Sequence, residues 1–174
     1  FTPTVGQKKI IESLSEWITN TDTERIFILN GYAGTGKTTL IAAFVAVLED
    51  MKIKPVLLAP TGRAAKVITQ HSGRKALTIH KRIYRQRSAA SYESRFDLNQ
   101  NREKDACFIV DEASMIADYA EEGSLFGSGS LLDDLFDYVR SGTRCRIMFV
   151  GDSAQLPPVG HELSPALDPR KMAS

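Results

Sequence analysis

Gly31, Gly34, Gly36, Lys37 and Thr38 stand in the order G-x-x-x-x-G-K-[ST] within Gly31-Tyr32-Ala33-Gly34-Thr35-Gly36-Lys37-Thr38. Residues without a Cβ let backbone N–H groups converge on an oxyanion, and the start of a following helix adds the positive end of its dipole. Lys37 supplies a point charge to terminal phosphates, and the Thr38 hydroxyl is a hard oxygen for Mg²⁺. Thr35 and Thr39 complete the set of residues expected to touch phosphate. With glycine near 7% of residues, chance produces this pattern in roughly one chain of this length in a hundred. An ordinary glycine-rich turn is the alternative reading.

Two further groups follow. Asp111 and Glu112 close the apolar run Cys107 to Val110. Asp111 can hold Mg²⁺ through water, and Glu112 can polarise a water that attacks a γ-phosphate. Alone, such a pair reads as a helix cap with first-turn dipole pairing; behind a phosphate loop it reads as a metal-site and base pair. The run Ile147 to Val150 leads into Gly151-Asp152-Ser153-Ala154-Gln155. Gln155 is a neutral, two-sided hydrogen-bonding group able to touch a γ-phosphate and register its loss, or else a solvent-facing turn residue.

These groups need a scaffold. Four short apolar runs, Ile26 to Leu29, Val56 to Ala59, Cys107 to Val110 and Ile147 to Val150, are flat in hydrophobicity and too short for helices. Helical stretches separate them at Thr38 to Leu48, Arg63 to Gln70 and Leu131 to Arg140, and Val5 to Ile18 has the spacing of an amphipathic helix. Strands buried on both faces and joined by helical crossovers predict a parallel α/β sheet. A carboxylate at the C-terminal end of such a strand lies in the crevice where this class binds ligands. The polar segment 85–104 reads as an excursion from the sheet, a small hairpin or loop. Residues 123–130 read as a flexible loop, and Pro157, Pro158, Pro165 and Pro169 break any helix near the C-terminus.

Composition excludes several classes. The 174 residues carry 22 Lys and Arg against 21 Asp and Glu, a net charge of +1, which suits neither a polycationic tail nor an acidic disordered chain. No apolar run approaches the roughly 18 residues a membrane span needs, and no secretory leader is visible, so a soluble cytoplasmic domain is expected. Cys107 and Cys145 sit in or beside core runs without metal or disulfide spacing, which suits a reducing compartment. Charge is nevertheless segregated: residues 52–104 carry a net +10 and residues 105–139 a net −9. The basic block, interleaved with Tyr84, Tyr92 and Phe96, suits a groove that tracks a sugar-phosphate backbone and stacks bases. Alternatively it is a solvated face that pairs with the acidic block.

The motifs together resemble the first motor domain of superfamily 1 DNA helicases, in particular the RecD-like group that includes the exonuclease V alpha subunit. The matching text is GYAGTGKT, APTGRAA (Ala59 to Ala65), TIH (Thr78 to His80), VDEASM (Val110 to Met115) and GDSAQLPPVG (Gly151 to Gly160), in family order. The resemblance implies a RecA-like P-loop NTPase sheet flanked by helices on both faces, with ATP and Mg²⁺ at the phosphate loop. It also implies 5′-to-3′ translocation on single-stranded DNA, serving recombination or repair, in the full-length enzyme. It makes Gln7 the adenine-reading glutamine, Lys37 and Thr38 the phosphate and Mg²⁺ ligands, and Asp111 and Glu112 the metal-site and base carboxylates. Gln155 becomes the phosphate sensor, and Thr61, Arg63 and His80 face the DNA strand. Residues 85–104 occupy the place of a small wedge hairpin, with Phe96 and Leu98 on one face.

On this reading residues 1–174 form the first RecA-like domain, and the second, which supplies arginines to the γ-phosphate, is absent. Such fingers are worth roughly 10³ to 10⁵ in rate, so residues 1–174 alone are expected to bind nucleotide and turn over feebly. Two rivals remain: a nucleotide-gated nucleic-acid-binding module without a catalytic cycle, for which Glu112 is dispensable, and a P-loop phosphotransferase, which has no use for Gln155 or the basic block.

Overall fold

Flat apolar runs demand cover on both sides, and the chain provides it. The computed structural model describes residues 4–20, 25–86, 96–117, 124–155 and 164–172. In chain order the elements are α1 (Val5–Thr19), β1 (Ile26–Asn30), α2 (Lys37–Asp50), β2 (Lys54–Ala59), α3 (Gly62–Ser72), β3 (Ala76–Thr78), α4 (Ile79–Ile83), β4 (Tyr84–Gln86), β5 (Phe96–Leu98), β6 (Ala106–Val110), α5 (Leu131–Ser141), β7 (Arg146–Gly151) and α6 (Pro169–Met172). Single 3-10 turns occupy Ala113–Met115 and Pro165–Leu167. The four expected strands and four expected helices are all present.

The main sheet has the order β1-β7-β6-β2-β3, and every neighbouring pair is parallel. Successive strand residues divide between two cores, as period-two geometry requires. On β6, Phe108 and Val110 pack with Ile83, Leu135 and Val139 of the α4 and α5 layer. Cys107 and Ile109 face Leu14, Ile41, Phe44 and Ile68 of the α1, α2 and α3 layer. All five residues of β6 are buried, and burying a side chain the size of Phe108 is worth about 2–3 kcal/mol. Cys107 and Cys145 are free thiols in the interior, and burial pushes the Cys107 thiol far above its ordinary range.

Within the polar excursion, β4 and β5 pair antiparallel with Tyr84 opposite Leu98 and Gln86 opposite Phe96. Residues 87–95, Tyr92 among them, lie outside the described residues, as do Gly123, Pro157 and Pro158 of the readings above. Phe96 and Leu98 turn toward the core, and the Phe96 ring stacks on Phe126 at 4.6 Å. The Phe96 ring therefore anchors the base of the ribbon. Tyr84 donates its hydroxyl to the buried Asp134 carboxylate at 2.6 Å, tying the ribbon to α5.

The ion pairs of the basic block are local. Lys54 and Arg82 both engage Glu103, and Arg74 engages Glu49. Among the described residues none of these three cations forms an ion pair with the acidic block. No helix among the described residues is long and apolar enough to cross a membrane.

Candidate active site

β1 ends at Asn30, and the Gly31 N–H donates to the Gly151 carbonyl at 3.0 Å, fixing the start of the loop against β7. Gly34 and Gly36 have φ of +78° and +79°, which an L side chain rarely adopts. Lys37 opens α2. Its Nζ donates to the carbonyls of Gly31 at 2.6 Å and Tyr32 at 2.8 Å, so the ammonium lies back across the loop. The Thr35 hydroxyl donates to the Tyr32 carbonyl at 2.7 Å. Gly36 caps α2 and brings no side chain to its first-turn N–H groups, which leaves those donors for an anion. Thr39 is exposed in that first turn.

Gln7 reaches the loop from α1. Its Oε1 accepts from the Thr4 N–H at 2.9 Å and its N–H donates to Thr4 Oγ1 at 3.3 Å, a reciprocal cap of α1. Its Nε2 lies 3.0 Å from where a Cβ on Gly36 would be. A side chain at 36 would thus strike Gln7. The capping role was available in the text Thr4-x-x-Gln7.

Asp111 and Glu112 leave β6 beside this loop. The Asp111 N–H extends the ladder to the Leu58 carbonyl at 3.0 Å, and its Oδ1 accepts the Glu112 N–H at 2.9 Å. Glu112 has φ +53° and ψ +37°, a left-handed conformation that a residue with a long side chain adopts only under constraint. Burial pushes the Asp111 carboxyl above the usual carboxylate range, with the Glu112 N–H and the Lys37 charge pulling it back. Glu112 is also raised, by burial first, then by the charge of Asp111 and by that of Asp152, against Lys37. Thr38, Thr61, Arg63, Asp111, Glu112 and Met115 line one open cleft of about 360 Å³. Lys37 does not line that cleft, but its charge acts on both carboxylates.

The donors suit one kind of metal. Thr38 offers a hydroxyl and Asp111 a carboxylate, and the described residues hold no group of three or more His, Cys, Asp or Glu that would make an all-protein cage. Mg²⁺ is bound in this manner, through one or two protein oxygens with phosphate and water completing the shell.

The opposite wall escaped the sequence reading. Asp152 is buried at 4% exposure. Its Oδ2 accepts the Ala33 N–H of the phosphate loop at 2.8 Å and its Oδ1 accepts the Ala154 N–H at 2.9 Å. Asn30 adds two bonds to Ser153, donating to Oγ at 2.7 Å and accepting the backbone N–H at 3.0 Å. The turn carrying Gln155 is thereby stapled to the phosphate loop. Asp152 follows a buried parallel strand just as Asp111 does, and that position was the signal that could have found it. Gln155 itself is exposed, and its Oε1 accepts the Ser114 hydroxyl at 3.1 Å.

Thr61 and Arg63 line the cleft, Thr61 also capping α3 through the Ala64 N–H at 3.2 Å. His80 is placed apart from them. It sits in α4 among rings, 5.6 Å from Tyr84 and 5.1 Å from Phe126 between centroids.

A parallel sheet whose first strand turns through such a loop into a helix, facing a carboxylate on a neighbouring strand, defines a P-loop nucleotide-binding domain. The chain belongs to the AAA domain family, whose sequence profile matches residues 15–161. It is 33% identical to an uncharacterized protein of Methanocaldococcus jannaschii over 88% of this chain and 13% of that protein. It is 30% identical to the ATP-dependent RecD2 DNA helicase of Deinococcus radiodurans over 90% of this chain and 19% of that protein. With the ATP-dependent DNA helicase dda of Enterobacteria phage T4 it shares 32% identity over 75% of this chain and 28% of that protein. The likeness to RecD-like helicases thus covers most of the chain, while the chain spans 13% to 28% of the length of these relatives.

Proposed function

We propose that this chain is the ATP-hydrolysing half of a motor that translocates on single-stranded DNA, serving recombination or repair. The observation that carries the reading is the convergence of Thr38, Asp111 and Glu112 on one cleft within the field of Lys37. Bound Mg²⁺ would neutralise developing charge on the triphosphate, held from Thr38 and Asp111. Lys37 and the first-turn N–H groups of α2 bind the phosphates, and Gln7 reads the base. Glu112, its carboxyl raised above the ordinary range by burial, orients a water and takes its proton. Gln155 presents an amide to the terminal phosphate.

The DNA side of the proposal starts at α3. Thr61 and Arg63 line the cleft, and a second groove of about 460 Å³ runs between α3 and β3, lined by Lys66, Thr69, Lys75, Thr78 and Lys81 and by no acidic residue. Lys66, Lys75 and Lys81 take no part in an ion pair among the described residues, which suits a phosphodiester backbone. His80, packed among rings, holds α4 in place beneath this path.

The catalytic arginine comes from a second RecA-like domain. Arg144 and Arg170 are occupied by Asp105 and Asp168, Arg146 donates to the carbonyls of Trp17 and Asn20, and Arg140 lies over the Phe136 ring at 5.7 Å. The test is hydrolysis by Glu112→Gln with single-stranded DNA and that second domain present. Turnover should fall by about 10² to 10⁴ with nucleotide affinity kept. Unchanged turnover would reduce the chain to a nucleotide-gated binding module, and a DNA affinity insensitive to salt would remove the basic groove from the account.

A further inference from the structure

Ser114 is fully buried, and its hydroxyl donates to Oε1 of Gln155 at 3.1 Å. The Gln155 side chain is exposed. An amide has two unlike ends: Oε1 only accepts and Nε2 only donates. Phosphate oxygens only accept, so a glutamine reads a terminal phosphate through Nε2 alone. With Oε1 engaged by the Ser114 hydroxyl, Nε2 is the end left to face a phosphate.

The turn that carries Ser114 is itself fastened. The buried Ser164 hydroxyl donates to the Ser114 carbonyl at 3.1 Å. Leu167 lies over Gly151, 2.7 Å from where a Cβ would stand, and the Ser114 N lies 3.2 Å from the same point. A Cβ at Gly151 would crowd this approach, which sets the turn after Glu112 against the strand that leads to Gln155. From these contacts we infer that Ser114 is a positioning residue that anchors the Gln155 side chain through Oε1 and so gives the site its preference for a triphosphate over a diphosphate. This rests on the assignment of Gln155 to the terminal phosphate made above.

The experiment compares affinities of the chain for a non-hydrolysable ATP analogue and for ADP, each with Mg²⁺, in the parent, Ser114→Ala, Gln155→Ala and the double variant. Gln155→Ala should lower the ratio of triphosphate to diphosphate affinity roughly five-fold, the worth of one hydrogen bond, with ADP affinity unchanged. Ser114→Ala should give much of the same loss, and nothing further when Gln155 is already alanine. Ser114→Thr, which keeps the hydroxyl, should recover the ratio. An equal loss from Ser114→Ala in both backgrounds would overturn the inference, because Ser114 would then act on packing and not through Gln155. A parent-like ratio in Gln155→Ala would overturn the assignment beneath it, and an absence of nucleotide binding in the parent would overturn the proposed function itself.

Discussion

The two rims of the parallel sheet are built on opposite principles. At the rim where the strands begin, charges are matched: Lys54 and Arg82 meet Glu103, Arg144 meets Asp105 at 2.5 and 2.7 Å, and Arg146 covers carbonyls at the end of α1. At the rim where the strands end, Asp111, Glu112 and Asp152 gather with Lys37 as the cation that opposes them, and none of the three carboxylates forms an ion pair among the described residues. Backbone strain does not by itself separate the rims, since Asp105 and Arg144 share with Glu112 a φ near +50°. Burial does. The first two are exposed and paired, whereas Glu112 carries its strain beside a buried like charge. One rim holds the fold together, and the other keeps carboxylates in a state that a bound cation would relieve further.

This contrast predicts substitutions of opposite sign. Glu103→Gln should produce the largest change, lowering stability by about 1–2 kcal/mol, because it weakens charge-assisted bonds to two cations. The Glu103 carboxyl is held below its usual range by those cations against the effect of its own burial. Its contribution is therefore present above about pH 4 and is lost as pH falls through the lowered value. Asp111→Asn should raise the stability of the ligand-free chain by about 1 kcal/mol, since the amide oxygen still accepts the Glu112 N–H while the buried charge is gone. Glu112→Gln should raise it less, its carboxyl being the more exposed of the two.

For both variants the gain has a definite pH dependence. The folded carboxyl titrates above the unfolded one, so the parent is penalised at neutral pH and the penalty fades as pH falls toward about 4. Denaturant midpoints measured from pH 7 to 4 should show the variants converging on the parent. A stability loss in either variant at neutral pH would break the contrast. Arg144→Ala should have the smallest effect, a melting temperature close to the parent's and unaltered nucleotide affinity, because its pair with Asp105 is exposed.

Much of this arrangement was legible in the chain. The runs ending at Leu29, Ala59, Val110 and Val150 announced central strands because residues buried on both faces leave no polar alternation. The phosphate loop and the Asp111-Glu112 pair followed because their spacing is set by the chemistry. β3 and α4 were not legible: a three-residue edge strand and a five-residue helix lean on α3 and the aromatic cluster, and the Thr78 cap of α4 is too slight a local signal by itself. The stacking of Phe96 on Phe126 likewise depends on a contact 30 positions away, which no local pattern encodes. Ser114 and Asn30 gave no signal at all, since a buried serine and a strand-end asparagine acquire their roles only when Gln155 and Ser153 are folded against them.

The central claim is that one crevice grips a triphosphate together with its metal. Equilibrium titration of the chain with a fluorescent, non-hydrolysable ATP analogue, with and without Mg²⁺, tests it most directly in the parent, Lys37→Ala and Asp111→Asn. The parent should bind more tightly with Mg²⁺, Lys37→Ala should lose about a hundred-fold in affinity under both conditions, and Asp111→Asn should lose the Mg²⁺ dependence alone. Parent-like affinity in Lys37→Ala, or a Mg²⁺ dependence that survives in Asp111→Asn, would contradict it.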